Sequence, residues 1–140
     1  MNIARLWPVL AAAVATMVVG FLWYSPMLFA RPWMIAMGYD PDDKKKIEEM
    51  QKSAGPLYGA AFLSTLITAF VLLMFRDAAG VTGWLGGLQL GFWCWAGFVA
   101  PVKFTDAIFG KRGRALLMID SGYQLVCLLA MGAIVGGWPK

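Results

Sequence analysis

Histidine is absent from this chain, cysteine occurs only twice, and charged residues make up just 14%. Without histidine the commonest metal ligand and general base is missing, which argues against triad and metal-centred chemistry. Cys94 and Cys127 both fall inside apolar runs, so they do not form the spaced framework of a small secreted disulfide domain. A bridge between them requires that their two helices touch. The scarcity of charge matters most, because soluble domains carry roughly 25% charged and about 45–50% apolar residues. Here hydrophobic residues reach 60% of 140, with seven Trp, nine Phe and nine Met, and the mean hydropathy is +0.66. One core cannot hide that much apolar surface from water. A soluble globular fold is therefore excluded, and the same apolar content excludes disorder. What is left is an integral membrane protein, read as a single transmembrane domain over residues 1–140.

Four apolar stretches, about 7–29, 57–75, 84–102 and 115–138, stand out. At a rise of about 1.5 Å per residue they reach roughly 28–36 Å, bracketing a hydrocarbon core about 30 Å thick. They are apolar on every face, unlike the alternating segments of a barrel, so the expected fold is all-α: a membrane four-helix bundle. The first stretch exceeds a signal-peptide core and lacks a strongly basic flank, so it is read as helix one. Trp7, Trp23, Tyr24, Trp33, Tyr58, Trp84 and Trp138 sit near the ends of these stretches, where amphipathic rings favour the headgroup level.

The net charge of +4 does not point to nucleic acid, because the basic residues cluster between the apolar runs. Arg31, Lys44, Lys45, Lys46, Lys52, Lys103, Lys111, Arg112 and Arg114 fall on one side, and only Arg5, Arg76 and Lys140 on the other. That nine-to-three bias places both long loops in the cytoplasm and both termini outside. The loop 30–56 has its own organisation. Residues 31–38 read as a short interfacial turn with Pro32 near its start and Gly38 at its stop. Asp40 and Pro41 then open a short cytoplasmic helix running to about Lys52. Ile47, Met50 and Ala54 form a narrow apolar stripe on it, which is expected to belong to a polar surface helix.

Helices in lipid associate through small residues and polar contacts. Gly83, Gly87 and Gly91 recur every four residues in helix three, Gly132 and Gly136 in helix four, Ala12, Thr16 and Gly20 in helix one, and Ala61, Thr65 and Ala69 in helix two. These stripes are expected to close the bundle within one chain. So small a bundle still leaves room for a homo-oligomer or a membrane-protein partner. Gln89, inside helix three, is expected to bridge helices, and both cysteines to pack. Pro26 and Pro101 sit near the inner ends of helices one and three, which suggests a weak parallel repeat of two hairpins.

Asp120 is the most informative residue. An unpaired Asp near a bilayer centre costs about 2.5–3.5 kcal/mol on insertion scales. Tyr123 and Gln124 follow it on the same helix face. Tyr24 and Ser25 near the end of helix one, and Lys103 with Asp106 at the end of helix three, fall at the same depth. The candidate ligand-binding set is therefore Tyr24, Ser25, Lys103, Asp106, Asp120, Tyr123 and Gln124, with Asp120 paired to Lys103 or hydrogen-bonded by Tyr24 and Ser25. Two readings of this layer stand: a lock between helices, or a ligand site.

The run Trp23-Tyr24-Ser25-Pro26 with Phe29 and Trp33 resembles the uncharacterised bacterial family known as domain of unknown function 1761. Gly97-Phe98-Val99-Ala100-Pro101, Gly122-Tyr123 and Met131-Gly132-Ala133-Ile134 resemble it too. The resemblance spans nearly the whole chain and implies a four-helix protein of a bacterial inner membrane with no established activity. The foremost functional reading is a membrane module, binding or accessory, that holds a lipid-like or other amphiphilic ligand at the inner polar layer. A small oligomeric transporter or channel using Asp120 is the alternative. The sequence offers no nucleophile–base pair, metal spacing or phosphate loop. An enzyme is thus the weakest reading, and no catalytic residue, metal or cofactor is assigned.

Overall fold

Apolar stretches free of β-branched alternation fold as helices, with the charged and Gly/Pro-bearing segments between them supplying the turns. A computed structural model describes residues 3–25, 27–111 and 113–139, and among them there are helices and no strand. Pro26, Arg112 and Lys140, on which the expectations above also drew, lie outside the described residues. A 3₁₀ turn at Ile3–Leu6 leads into α1 (Trp7–Trp23), followed by α2 (Ala30–Ala36), α3 (Lys44–Lys52) and α4 (Gly55–Ala79). Then come α5 (Gly83–Cys94), a π-helical turn (Trp95–Val99), α6 (Ala100–Phe109) and α7 (Arg114–Gly137). α4, the continuous rod Gly83–Phe109 and α7 are each long and apolar enough to cross a membrane, whereas α1 is apolar but has only 17 residues.

Local hydrogen bonding explains where the helices depart from the apolar runs. α1 stops at Trp23, six residues before the end of its run, because Ser25 turns back on it. Its Oγ donates to the Leu22 carbonyl at 2.7 Å, and its amide bonds the same carbonyl at 3.3 Å. α4 continues past Phe75 through Arg76 and Asp77 and is terminated by Gly80, whose φ of +69° closes the last turn with Val81 N–H on the Arg76 carbonyl. The third helix does not end near Val102. Pro101 has no N–H to offer the Gly97 carbonyl, and its ring crowds that carbonyl. The chain widens by one residue into the π turn, where Ala100 N–H reaches the Trp95 carbonyl, and then resumes as α6. Lys103 and Asp106 are therefore helical residues rather than end residues. The two halves do not match, since α1 stops where the other helix continues.

The start of α3 also corrects the sequence reading. Asp43, not Asp40, is its N-cap, accepting the Lys46 N–H at 3.2 Å. Asp40 instead accepts the Asp42 N–H at 2.9 Å, an Asx turn that uses its carboxylate before the helix begins.

The tightest seam joins α5 to α7 through glycine. Gly87 and Gly91 are buried against the Gly132 and Leu128 carbonyls, and Gly136 packs on the Gly87 backbone. The four-residue glycine spacing thus closes the chain on itself. Around this seam Val9 and Ala12 of α1, Ala69, Leu72 and Leu73 of α4, and Cys127, Leu128, Met131 and Val135 of α7 form the core. Cys127 is buried and Cys94 half-buried, and both are free thiols. Gln89 does not bridge helices; it is exposed. Two residues at about 100° each turn it away from both Gly87 and Gly91, so fixing the glycine face inward fixes Gln89 outward.

Candidate functional site

Three consecutive residues of α7 receive hydrogen bonds from other helices. Trp23 Nε1 donates to the Ile119 carbonyl at 3.1 Å, Tyr24 Oη to Asp120 Oδ1 at 2.8 Å, and Trp95 Nε1 to the Ser121 carbonyl at 2.9 Å. The end of α1 supplies the first two donors and the π turn supplies the third, so the backbone irregularity at Pro101 has a structural use: it brings the Trp95 indole onto α7. Tyr123 lies one turn further along, its Oη 3.5 Å from the Thr16 carbonyl. Gly20 gives that ring its space, since a Cβ there would lie 3.0 Å from the Tyr123 hydroxyl. Tyr24 packs edge-on to Tyr123 and Trp33, with centroids at 5.2 and 5.8 Å, and Trp33 continues to Tyr39 at 6.2 Å.

These rings wall a cavity of about 790 Å³ between α1, α2, α3, the start of α4, α6 and α7, within the 300–1,000 Å³ typical of ligand pockets. Its apolar wall comes from Met17 and Phe21 of α1, Met34 of α2, Ile47 and Met50 of α3, and Leu57 of α4. Its polar groups include Tyr24, Lys103, Asp120, Tyr123 and Gln124. Five of the seven residues singled out from the sequence therefore meet in one space. Asp106 stands just outside it, lining a second pocket of about 20 Å³ together with Lys103 and Asp120. Ser25 does not join them, because its hydroxyl is used on the Leu22 carbonyl. Of the partners expected for Asp120, Tyr24 is the one that bonds it. Among the described residues no ion pair joins Lys103 to Asp120.

Sequence reasoning missed the roof of this cavity. α3 is a polar surface helix with no buried residue, as its charges imply, but Ile47 and Met50 on it and Ala54 at the start of α4 line the cavity. Their helical spacing was the available signal, outweighed by the charged residues surrounding them. Trp33 and Tyr39 belong to the same wall, and Trp23 is hydrogen-bonded to α7. Trp7, Trp84 and Trp138, by contrast, remain exposed at helix ends.

The family model described as "Protein of unknown function (DUF1761)" matches residues 7–136. No curated protein and no solved structure matches the chain.

Proposed function

We propose a function from geometry alone for this chain, which belongs to the DUF1761 family, a family of unknown function. It is a four-helix protein of the cell membrane, both termini outside and the α2–α3 segment in the cytoplasm, that binds an amphiphile in the cavity between them. Membrane insertion is supported by three helices of spanning length. It is supported too by the many large apolar side chains left exposed along them, among them Leu63, Ile67, Trp93 and Phe98, a surface no soluble monomer keeps. The observation that carries the binding reading is the cavity itself, in which a methionine and aromatic wall meets a hydrogen-bonded carboxylate and a lysine. An apolar chain fits the wall, and a polar head fits the Asp120 end.

Orientation is tested with Ser53→Cys and Thr82→Cys in a chain carrying Cys94→Ala and Cys127→Ala. A membrane-impermeant maleimide is expected to label position 82 in intact cells and position 53 only after permeabilisation. Labelling of position 53 from outside intact cells overturns the orientation. Binding is tested with a pyrene-labelled lysophospholipid added to the purified chain in detergent. Saturable fluorescence enhancement is expected, and Ala61→Trp, which fills the cavity from α4, is expected to weaken it at least tenfold while helicity by circular dichroism is unchanged. Equal binding by the parent and Ala61→Trp removes the cavity from consideration.

A further inference from the structure

Asp120 and Lys103 carry opposite charges into the same apolar-walled cavity, yet no ion pair within 4.0 Å joins them among the described residues. Both residues are only half-buried, and opposite charges lining one apolar-walled space attract each other more strongly as the dielectric falls. Here they are not paired. Tyr24 ties one oxygen of Asp120 from the side at 2.8 Å, and Lys103 projects from a different helix, beyond the π turn. A ligand with one charge would satisfy one group and be repelled by the other. A ligand carrying both signs satisfies both.

The ring arrangement says which sign belongs where. Tyr24, Trp33 and Tyr39 form a continuous aromatic run, with centroids 5.8 and 6.2 Å apart, beginning at the tyrosine that bonds Asp120. All three rings line the cavity. Lys46 Nζ already sits over the Tyr39 ring, 5.6 Å from its centroid, and the Tyr24 and Trp33 rings beside the carboxylate form an environment for an organic cation, through the ring quadrupoles as well as the charge. Lys103 enters from α6, where it shares the small second pocket with Asp106 and Asp120, and offers three donors to an anion. We propose that the occupant is a zwitterionic amphiphile of the phosphoethanolamine or phosphocholine type. Its ammonium lies at Asp120 and the Tyr24–Trp33 rings, its phosphate at Lys103, and its apolar chain along Met17, Phe21 and Leu57.

This rests on the amphiphile reading above, and displacement of the pyrene probe separates the two. Lysophosphatidylethanolamine is expected to displace the probe about tenfold better than lysophosphatidylglycerol, which has the same phosphate and no ammonium. Asp120→Asn should erase that preference, whereas Lys103→Met should weaken both lipids about equally. Glycerophosphoethanolamine, the headgroup without a chain, is the arm that distinguishes a lipid from a free zwitterion. A lipid occupant predicts at least a hundredfold weaker displacement by it, and equal displacement assigns the site to a free small zwitterion instead. If both lysolipids compete equally in the parent chain, or if Asp120→Asn leaves the preference intact, the zwitterion assignment is wrong while the cavity reading stands. If Ala61→Trp binds the probe as the parent does, the underlying reading has failed first. Size-exclusion retention and circular dichroism of each variant establish that it is folded before its affinities are compared.

Discussion

Gly87→Ala is expected to destabilise the fold by about 3 kcal/mol, at the upper end of overpacking costs, and Gly87→Leu to leave no folded chain recoverable from membranes. A Cβ at this position would be driven into the Gly132 carbonyl oxygen, would lie 2.7 Å from that carbonyl carbon and would come within 3.0 Å of the Gly136 Cα. All three atoms are backbone, so no side chain can rotate aside. Relief requires α5 and α7 to separate along the seam that also holds Gly91 against Leu128. Gly59→Ala is the matching control. Nothing lies within 4 Å of a Cβ there, and replacing a helical glycine by alanine gains up to about 1 kcal/mol of helix propensity. Unfolding in mixed micelles by titration with sodium dodecyl sulfate measures both. Coinciding midpoints for Gly87→Ala and Gly59→Ala would mean that the seam does not hold the fold together.

That seam was legible in the sequence for a physical reason. Where the surroundings are as apolar as the side chains, backbones gain most by approaching closely, and glycine every four residues is the pattern that permits it. The meeting of Tyr24 with Asp120 was legible in the same way, because both residues lie near corresponding ends of their helices and a carboxylate there needs a donor. What the pattern could not supply is the rotation of each helix about its axis and the position of its end. In sequence Trp23 looks like any ring near a span end and Trp95 like any ring inside one, and only the early stop of α1 and the π turn before Pro101 aim their indoles at the Ile119 and Ser121 carbonyls. Ser25 was drawn away from the polar layer by a local bond to Leu22 that competes over three residues with anything distant.

The roof of the cavity shows a different limit. Ile47 and Met50 do share a face of α3, with Ala54 following as the N-cap of α4, but α3 has no buried residue, and a short stripe between lysines and glutamates looks the same whether it faces water or a cavity. Its role depends on α1 ending at Trp23. Had α1 continued to Phe29, the chain would have had no room to turn α2 and Trp33 back over Tyr24. The site is thus a consequence of one helix stopping early and another refusing to stop at a proline, and neither event is encoded in hydropathy.

Arg76→Met is expected to cost about 3 kcal/mol, the effect of removing one partner from a largely buried pair, although the sequence alone counts Arg76 as a loop charge. Arg76 is only 3% exposed. Its Nη1 donates to the Val135 carbonyl at 2.7 Å, while Nε and Nη2 reach Asp77 Oδ1 at 3.0 and 2.8 Å. Val135 stands in the last turn of α7, where carbonyls lack partners within the helix. The residue four positions on is Pro139, which has no N–H to give. The guanidinium therefore caps α7 from α4 and joins two helices whose Leu72, Leu73, Met131 and Val135 belong to one core. Arg76→Lys should recover less than half of the loss, because an ammonium cannot present a planar fork to a carbonyl and a carboxylate at once. Asp77→Asn should cost about 1 kcal/mol, its carboxylate being partly exposed. The double variant Arg76→Met with Asp77→Asn should fall short of the sum of the two single losses, since each disrupts the same pair. Detergent-unfolding midpoints of the four chains test the set. An Arg76→Met midpoint equal to that of the parent, or strict additivity in the double variant, would show that this arginine is not the clasp between α4 and α7.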